Sequence, residues 1–319
     1  MALTAGVLFS GAGLASWGLR QAGLDVRWAV DLEEDCVRTH ELNMPGGRGI
    51  VGDVSKLHAA DLEPVDLLWG SPPCQALSLV AGKRRKPEEG LVLIKEFERL
   101  AEELKPRWVI GENVMGFYYA FPERVRSAPA WCLLDAADFG TPQHRTRVFW
   151  GRFRVPRPTH AEHANRTLDG PALRPWVTLG RALGIRSDDR PTNGGGVQTV
   201  FGDTRVTWTK TMRGIKYVEA MEGAPDAPGP FDPWIWMPDA PANTLCASSA
   251  RPVAVRLPGP VPTYRFLEAG DRARVMGLPV SWRFPPGTRT DRKWAMLGNG
   301  VPPQLSEALA RATIAGAGP

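Results

Sequence analysis

Cysteine is scarce in this chain: four among 319 residues, Cys36, Cys74, Cys132 and Cys246, with no CxxC spacing. That scatter argues against a disulfide framework and against a zinc site, and it suits a reducing compartment. No run of about 18 apolar residues exists, which argues against a membrane-spanning helix. The opening Met1-Ala2-Leu3-Thr4 has no basic segment ahead of an apolar core, so no export signal is expected. Neither charge sign is lacking: 39 Lys and Arg stand against 34 Asp and Glu, a net charge of +5. The small basic excess fits a polyanionic partner without requiring one. Hydrophobic residues make up 43% and charged residues 23%, the balance of a soluble globular protein with one large or two modest domains. The 34 glycines and 30 prolines alternate with apolar runs, which points to many turns rather than to disorder.

What is present turns on Gly70-Ser71-Pro72-Pro73-Cys74-Gln75. It follows Val65-Asp66-Leu67-Leu68-Trp69, a short apolar run that reads as a buried strand. Two prolines remove two backbone donors, so the strand stops there and Cys74 is presented at its carboxyl end. In open α/β sheets ligands bind at that edge, and a rigid lead-in suits a nucleophile. A lone cysteine is more often an inert packing residue, so the remaining chain has to decide.

Ahead of that stretch, Ala5-Gly6-Val7-Leu8-Phe9 reads as a first strand and Ser10-Gly11-Ala12-Gly13 as a tight turn. Ala15, Leu19 and Ala22 recur at helical spacing, with Gly23 as the stop. Residues 26–30 read as a second strand ending in Asp31, 20 residues beyond Gly11, where a carboxylate can hold ribose hydroxyls. The third glycine of a dinucleotide fingerprint is replaced by Ser16, which favours an adenosine ligand without pyrophosphate. Ile50-Val51 forms a short third strand before Asp53, a candidate acceptor for an adenine amino group or simply a turn aspartate. Lys83, Arg84, Arg85 and Lys86 form a basic loop near Cys74, suited to phosphate or to solvent. Leu93, Phe97, Leu100 and Leu104 mark a core-facing helix. Residues 108–111 read as another strand leading to Glu112, and residues 131–134 as a further one. Strand alternation puts Gln143, Arg145 and Arg147 on one face, able to hold carboxylates, phosphates or a base edge, or to form a structural ion pair.

From about Pro156 helical periodicity nearly vanishes. Residues 197–208 alternate like strand, and residues 181–216 carry seven Lys and Arg against three Asp. Trp208, Lys210, Arg213 and Lys216 interleave an aromatic with cations, which suits a nucleic-acid surface or a plain basic insertion. Residues 264–276 read as helical, and Pro302-Pro303 open a last helix with Leu305, Ala308, Leu309 and Ala312 on its apolar face.

Five segments in order resemble the DNA cytosine-5 methyltransferase family: Phe9-Ser10-Gly11-Ala12-Gly13, Pro72-Pro73-Cys74-Gln75, Glu112-Asn113-Val114, Gln143-x-Arg145-x-Arg147 and Gly298-Asn299-Gly300-Val301-Pro302-Pro303. The resemblance covers residues 5–153 and 234–315, with Asp239 to Leu245 matching the segment before the last. The loop after Cys74 is shorter than the family's, and Thr146 stands where Glu is usual.

The resemblance implies an α/β fold: a Rossmann-like, S-adenosylmethionine (AdoMet)-dependent methyltransferase sheet in a discontinuous large domain, residues 1–155 plus 262–319. A small target-recognition domain, residues 156–261, is inserted in it. It implies methyl transfer to carbon 5 of a cytosine flipped out of double-stranded DNA, through a cysteine adduct, in restriction-modification or epigenetic marking. Cys74, Glu112, Arg147 and Arg145 would be catalytic. Phe9, Ser10, Gly11, Gly13, Asp31, Leu32, Asp53, Val54, Pro73, Asn299, Gly300 and Val301 would hold AdoMet. Gln75, Ser78, Lys83, Arg84, Arg85, Gln143, Trp208, Lys210 and Arg213 would meet DNA. No metal is expected; a cytoplasmic monomer at the nucleoid is, with a restriction endonuclease as a separate companion. An amino-group methyltransferase would need no thiol and would place an aromatic after Ser-Pro-Pro. The alternatives are a tRNA cytosine-5 methyltransferase, whose Cys-Phe-Thr signature is absent here, and a catalytically silent DNA-binding scaffold.

Overall fold

The computed structural model describes residues 2–73, 87–163, 172–185, 198–201, 204–210, 216–220, 234–247, 253–258 and 263–316. The first half alternates strand and helix: β1 (Thr4–Leu8), α1 (Leu14–Gln21), β2 (Asp25–Asp31), α2 (Glu34–Asn43), β3 (Arg48–Val51), β4 (Leu67–Gly70), α3 (Pro87–Leu104) and β5 (Trp108–Val114). Two short helices follow, α4 (Met115–Ala120) and α5 (Pro122–Arg126), then β6 (Ala130–Asp135) and β7 (Thr146–Arg152). These strands form one sheet in the order β3-β2-β1-β4-β5-β7-β6. β1 to β5 are parallel, and β7 runs against both its neighbours.

Alternating side chains feed two cores, because successive strand residues point to opposite faces. Val7, Leu67, Trp69 and Phe149 pack on one face, and Leu8, Leu68, Val148 and Trp150 on the other. Gly70 and Gly111 are register partners on β4 and β5, and a Cβ on either would run into the ring of Phe97 or Trp150. Both strands stay small there so that Phe97 of α3 can close over Gly70 and Trp150 of β7 over Gly111.

The second half begins with the two-residue strands β8 (His160–Ala161) and β9 (Arg174–Pro175) and helix α6 (Leu179–Leu183). A second sheet contains β10 (Gln198–Phe201), β11 (Thr204–Lys210), β12 (Lys216–Ala220), β13 (Trp234–Trp236), β14 (Val253–Leu257) and β15 (Thr263–Phe266). Helices α7 (Ala269–Val275), α8 (Thr290–Asn299) and α9 (Pro303–Ile314) complete the described chain. Leu179, Trp236, Val255, Val275 and Leu297 belong to a third core. Helix α9 returns to the first unit, where Ser306 Oγ donates to Ala15 O at 3.0 Å.

Three local expectations need correction. Residues 263–266 are strand, paired with β12 and β14, and the helix starts only at Ala269. Its start is set by Asp271, whose carboxylate accepts from Glu268 N at 3.2 Å. The α3 stripe is carried by Ile94, Phe97 and Leu100, with Leu93 and Leu104 only partly covered. Strand β7 begins at Thr146, so Gln143 and Arg145 precede it instead of alternating along it. No described helix is long and apolar enough to cross a membrane.

Candidate active site

At the carboxyl edge of β4 the chain is held as far as Pro72, two residues before the candidate nucleophile. Ser71 N donates to Leu8 O at 3.3 Å, and Trp69 Nε1 donates to Ser71 Oγ at 2.9 Å. Asn113 Nδ2 donates to Pro72 O at 3.1 Å, which ties the proline pair to β5. Cys74 itself, with Gln75, Ser78, Lys83, Arg84 and Arg85, lies outside the described residues.

Glu112 lies one residue past the Gly70–Gly111 register pair and is only 6% exposed. Arg147 Nε stands 3.2 Å from its carboxylate, and Arg147 Nη1 donates to Thr146 O at 2.8 Å. Burial pushes the Glu112 carboxyl above its ordinary range; Arg147, Arg145 and the Ser71 hydroxyl pull the other way. An acid balanced in this manner can carry a proton to a ring nitrogen or hold one there. Ser71 was not among the sequence candidates; a hydroxyl between a strand end and two prolines was its only signal.

The segment before β7 is placed differently from expectation. Gln143, read as a DNA contact, is fully buried; its Oε1 accepts from Leu245 N at 2.8 Å and its Nε2 donates to Val275 O at 3.2 Å. Its amide is spent inside the protein, so it offers nothing to DNA. Arg145 is equally buried and donates to Leu245 O at 2.8 Å and Gly298 O at 2.6 Å. Thr141 Oγ1 donates to Gln304 Oε1 at 3.0 Å. The physical reason is location: residues 141–145 run through the seam where the 242–247 segment and helices α7 to α9 meet the first sheet. Arg145 lies inside that seam, with its guanidinium on two main-chain carbonyls.

The cofactor candidates cluster at the same sheet edge. The β1–α1 turn bends through positive φ at Phe9 (55°), Gly11 (51°) and Gly13 (93°). For Phe9 that conformation costs about 1 kcal/mol, a strain typical of functional turns. Gly11 N donates to Asp31 Oδ2 at 2.7 Å, and Asp31 Oδ1 accepts from Glu33 N at 3.0 Å. Burial raises the Asp31 pKa, and the backbone donors of Glu33 and Gly11 oppose it. Leu32, next to that carboxylate, is 66% exposed. An apolar side chain left open beside an oriented carboxylate and a glycine turn with no cation fits an adenosine. Asp53 caps a turn, accepting from Ser55 N at 3.0 Å and Ser55 Oγ at 2.7 Å. Ser10 is buried, with its backbone N–H donating to Val30 O at 2.9 Å. Val54 and Val301 place their side chains in the cores. Pro73 and Asn299 are exposed, and Gly300 packs on Leu14 at the start of α1. Trp208 and Lys210 lie on β11, described by its backbone, and Arg213 is outside the described residues. No group of three metal-ligating side chains occurs among the described residues.

A seven-stranded sheet in this order, with β7 reversed and a glycine turn and carboxylate at its carboxyl edge, is an AdoMet-dependent methyltransferase fold. The chain belongs to the C-5 cytosine-specific DNA methylase family, whose model matches residues 4–169. It is 36% identical over 214 residues to the Type II methyltransferase M.AquIA of Picosynechococcus sp., covering 55% of this chain and 86% of that one. It is 26% identical over 326 residues to the Type II methyltransferase M.NgoMIV of Neisseria gonorrhoeae, covering 98% of each. A prophage-encoded Escherichia coli protein proposed to be a DNA modification methyltransferase shares the fold, with a TM-score of 0.62, 22% identity and 98% of each chain covered.

Proposed function

We propose that the protein is an AdoMet-dependent DNA cytosine-5 methyltransferase that acts on a short specific duplex sequence, as the modification arm of a restriction-modification system. The observation that carries this reading is the buried Glu112–Arg147 pair at 3.2 Å, its acid on the strand beside the fixed Ser71–Pro72 lead-in to Cys74. Residues 1–155 with 262–319 act as the catalytic unit and 156–261 as the recognition unit, with strand β15 at their boundary.

A stacked cytosine hides its ring edge, so the target base is turned out of the helix at a cost of a few kcal/mol. The Cys74 thiolate bonds to carbon 6. Glu112 donates its proton to ring nitrogen 3, so the electron pair displaced by the attack has somewhere to go. The Phe9–Gly13 turn, Asp31, Leu32 and Asn299 would hold AdoMet, whose sulfonium would give its methyl group to carbon 5 and leave as S-adenosylhomocysteine. Loss of the carbon 5 proton to a base then re-forms the ring double bond and expels the Cys74 sulfur. The proton on nitrogen 3 returns to Glu112. Arg147 keeps the carboxyl in line throughout, and Arg145 and Gln143 hold the backbone around it.

The test is covalent trapping with AdoMet and duplex DNA bearing 5-fluorocytosine, from which the carbon 5 fluorine cannot leave as a cation. A denaturant-stable adduct on Cys74 is the expected result. Trapping on fluorinated tRNA but not on DNA would replace the substrate. No adduct on either would sink the reading in favour of a silent scaffold.

A further inference from the structure

Between Thr141 and Arg145 the side chains of Thr141, Gln143 and Arg145 turn inward, and only His144 turns out. Its place in the sheet matters. Strand β5 runs toward the edge that carries Glu112, β7 starts there, and β6 ends there, with Val114, Arg147 and Leu134 in one register row. Asp135, the last residue of β6, lies one step beyond that row, and His144 Nδ1 is 3.0 Å from its Oδ2.

This dyad is built, not incidental. Asp135 Oδ1 accepts from Arg145 N at 2.8 Å and from Ala137 N at 3.2 Å, so the carboxylate cannot swing. A carboxylate only accepts, so Nδ1 donates, and a hydrogen on Nε2 as well makes the ring an imidazolium. The His144 main chain is held at both ends, N donating to Ala242 O at 2.8 Å and O accepting from Thr244 Oγ1 at 2.7 Å. Trp176 meets the ring edge-on, with centroids 4.7 Å apart, and its Nε1 is fixed on Asp138 Oδ1 at 2.9 Å. The other ring nitrogen, Nε2, has no partner among the described residues, and the side chain is 36% exposed. The charged groups facing the ring are Asp135 and Asp138, with His160 beyond Asp138; the Arg145 guanidinium points away into the seam.

We propose that His144 is a DNA-contact residue: as an imidazolium held between two anions, it donates Nδ1–H to Asp135, which fixes the ring, and Nε2–H to a phosphodiester oxygen of the substrate. This rests on the reading of the protein as a DNA methyltransferase. A donor fixed in place at the catalytic edge, outside the Glu112–Arg147 pair, is suited to set the register of the duplex; it carries no sequence information. Asp135 is then a positioning residue.

The experiment is duplex binding by fluorescence anisotropy across about 50 to 200 mM salt, with thermal unfolding and S-adenosylhomocysteine binding as controls. His144→Gln is expected to weaken binding about fivefold and to flatten the salt slope by up to about one, with Asp135→Asn intermediate and His144→Arg restoring both. Because Asp135→Asn also loosens Arg145 N, a second measurement leaves the fold alone. Duplexes carrying one neutral methylphosphonate are scanned around the target. One position should cost the unaltered protein about fivefold and cost His144→Gln nothing. No such position, or unchanged affinity and slope in His144→Gln, overturns the proposal. Slower methylation at unchanged affinity also overturns it, since the ring would then act at the reacting base. An unaltered protein that binds no duplex would sink the methyltransferase reading itself.

Discussion

Arg145 and Arg147 stand two residues apart, both buried, and they face opposite kinds of partner. Arg147 meets a carboxylate, Glu112, which can change its protonation. Arg145 meets two main-chain carbonyls, Leu245 O and Gly298 O, which cannot. A guanidinium against a buried acid sets how tightly that acid holds its proton; against carbonyls it first sets where the backbone lies, and Arg145 reaches Glu112 through its field alone, more weakly than Arg147. On the proposed reading, the same side chain at nearly the same depth serves chiefly the reaction in one place and chiefly the architecture in the other. Gln143 belongs with Arg145, since its amide bridges the 245 and 275 segments.

The largest expected effect separates the two directly. Arg147→Leu should cut single-turnover methylation at least about 100-fold while the melting temperature moves by only a few degrees. Its pH profile sharpens the point. Arg147 holds the Glu112 pKa down against burial, so its removal lets the carboxyl keep its proton to higher pH. If protonated Glu112 is the working form, the fall in rate with rising pH shifts upward in Arg147→Leu. A shift downward would break the assignment.

Arg145→Leu should instead cost about 3 kcal/mol of stability, because two buried carbonyls lose their donors. Urea unfolding measures it, and the folded fraction should retain turnover within about tenfold. Loss of activity at unchanged stability would reverse the comparison and make Arg145 the reactive partner.

A smaller effect concerns a buried group with no partner at all. His40 is fully buried behind the glycine turn, where a Cβ on Gly13 would come within 2.8 Å of its ring, and neither ring nitrogen is hydrogen-bonded. Burial pushes its pKa down to about 4. The unfolded chain takes up a proton near pH 6.5 that the folded one refuses, so stability is complete above that pH and falls toward pH 4. The loss reaches about 3 kcal/mol at most. His40→Met should flatten that acid limb in urea titrations; an unchanged limb would place the titrating group elsewhere.

Much of the frame was legible in the chain. Apolar runs ending in Gly70, Asp31 and Glu112 mark strands whose carboxyl ends share an edge, because strand–helix alternation makes them parallel. The turn at residues 9–13 and the acid at 31 follow from local spacing, and the structure joins them through Gly11 N and Asp31. The helix expected from Tyr264 failed because β12 and β14 recruit residues 263–266 as a strand, a long-range pairing that local periodicity cannot register.

The sequence by itself determined the chemistry on offer: a thiol after a rigid turn, an acid toward the end of the strands carrying Asp31 and Glu112, and a glycine turn without a phosphate cradle. It determined the family as well, through five short segments in order. The tertiary structure alone decided which polar side chains of residues 143–147 face inward. Those directions depend on Leu245, Val275 and Gly298, about 100 to 150 residues away along the chain, which supply the carbonyls and amides that Gln143 and Arg145 satisfy. A buried polar group must find its partner wherever the fold brings one, and no alternation rule within five residues contains that information.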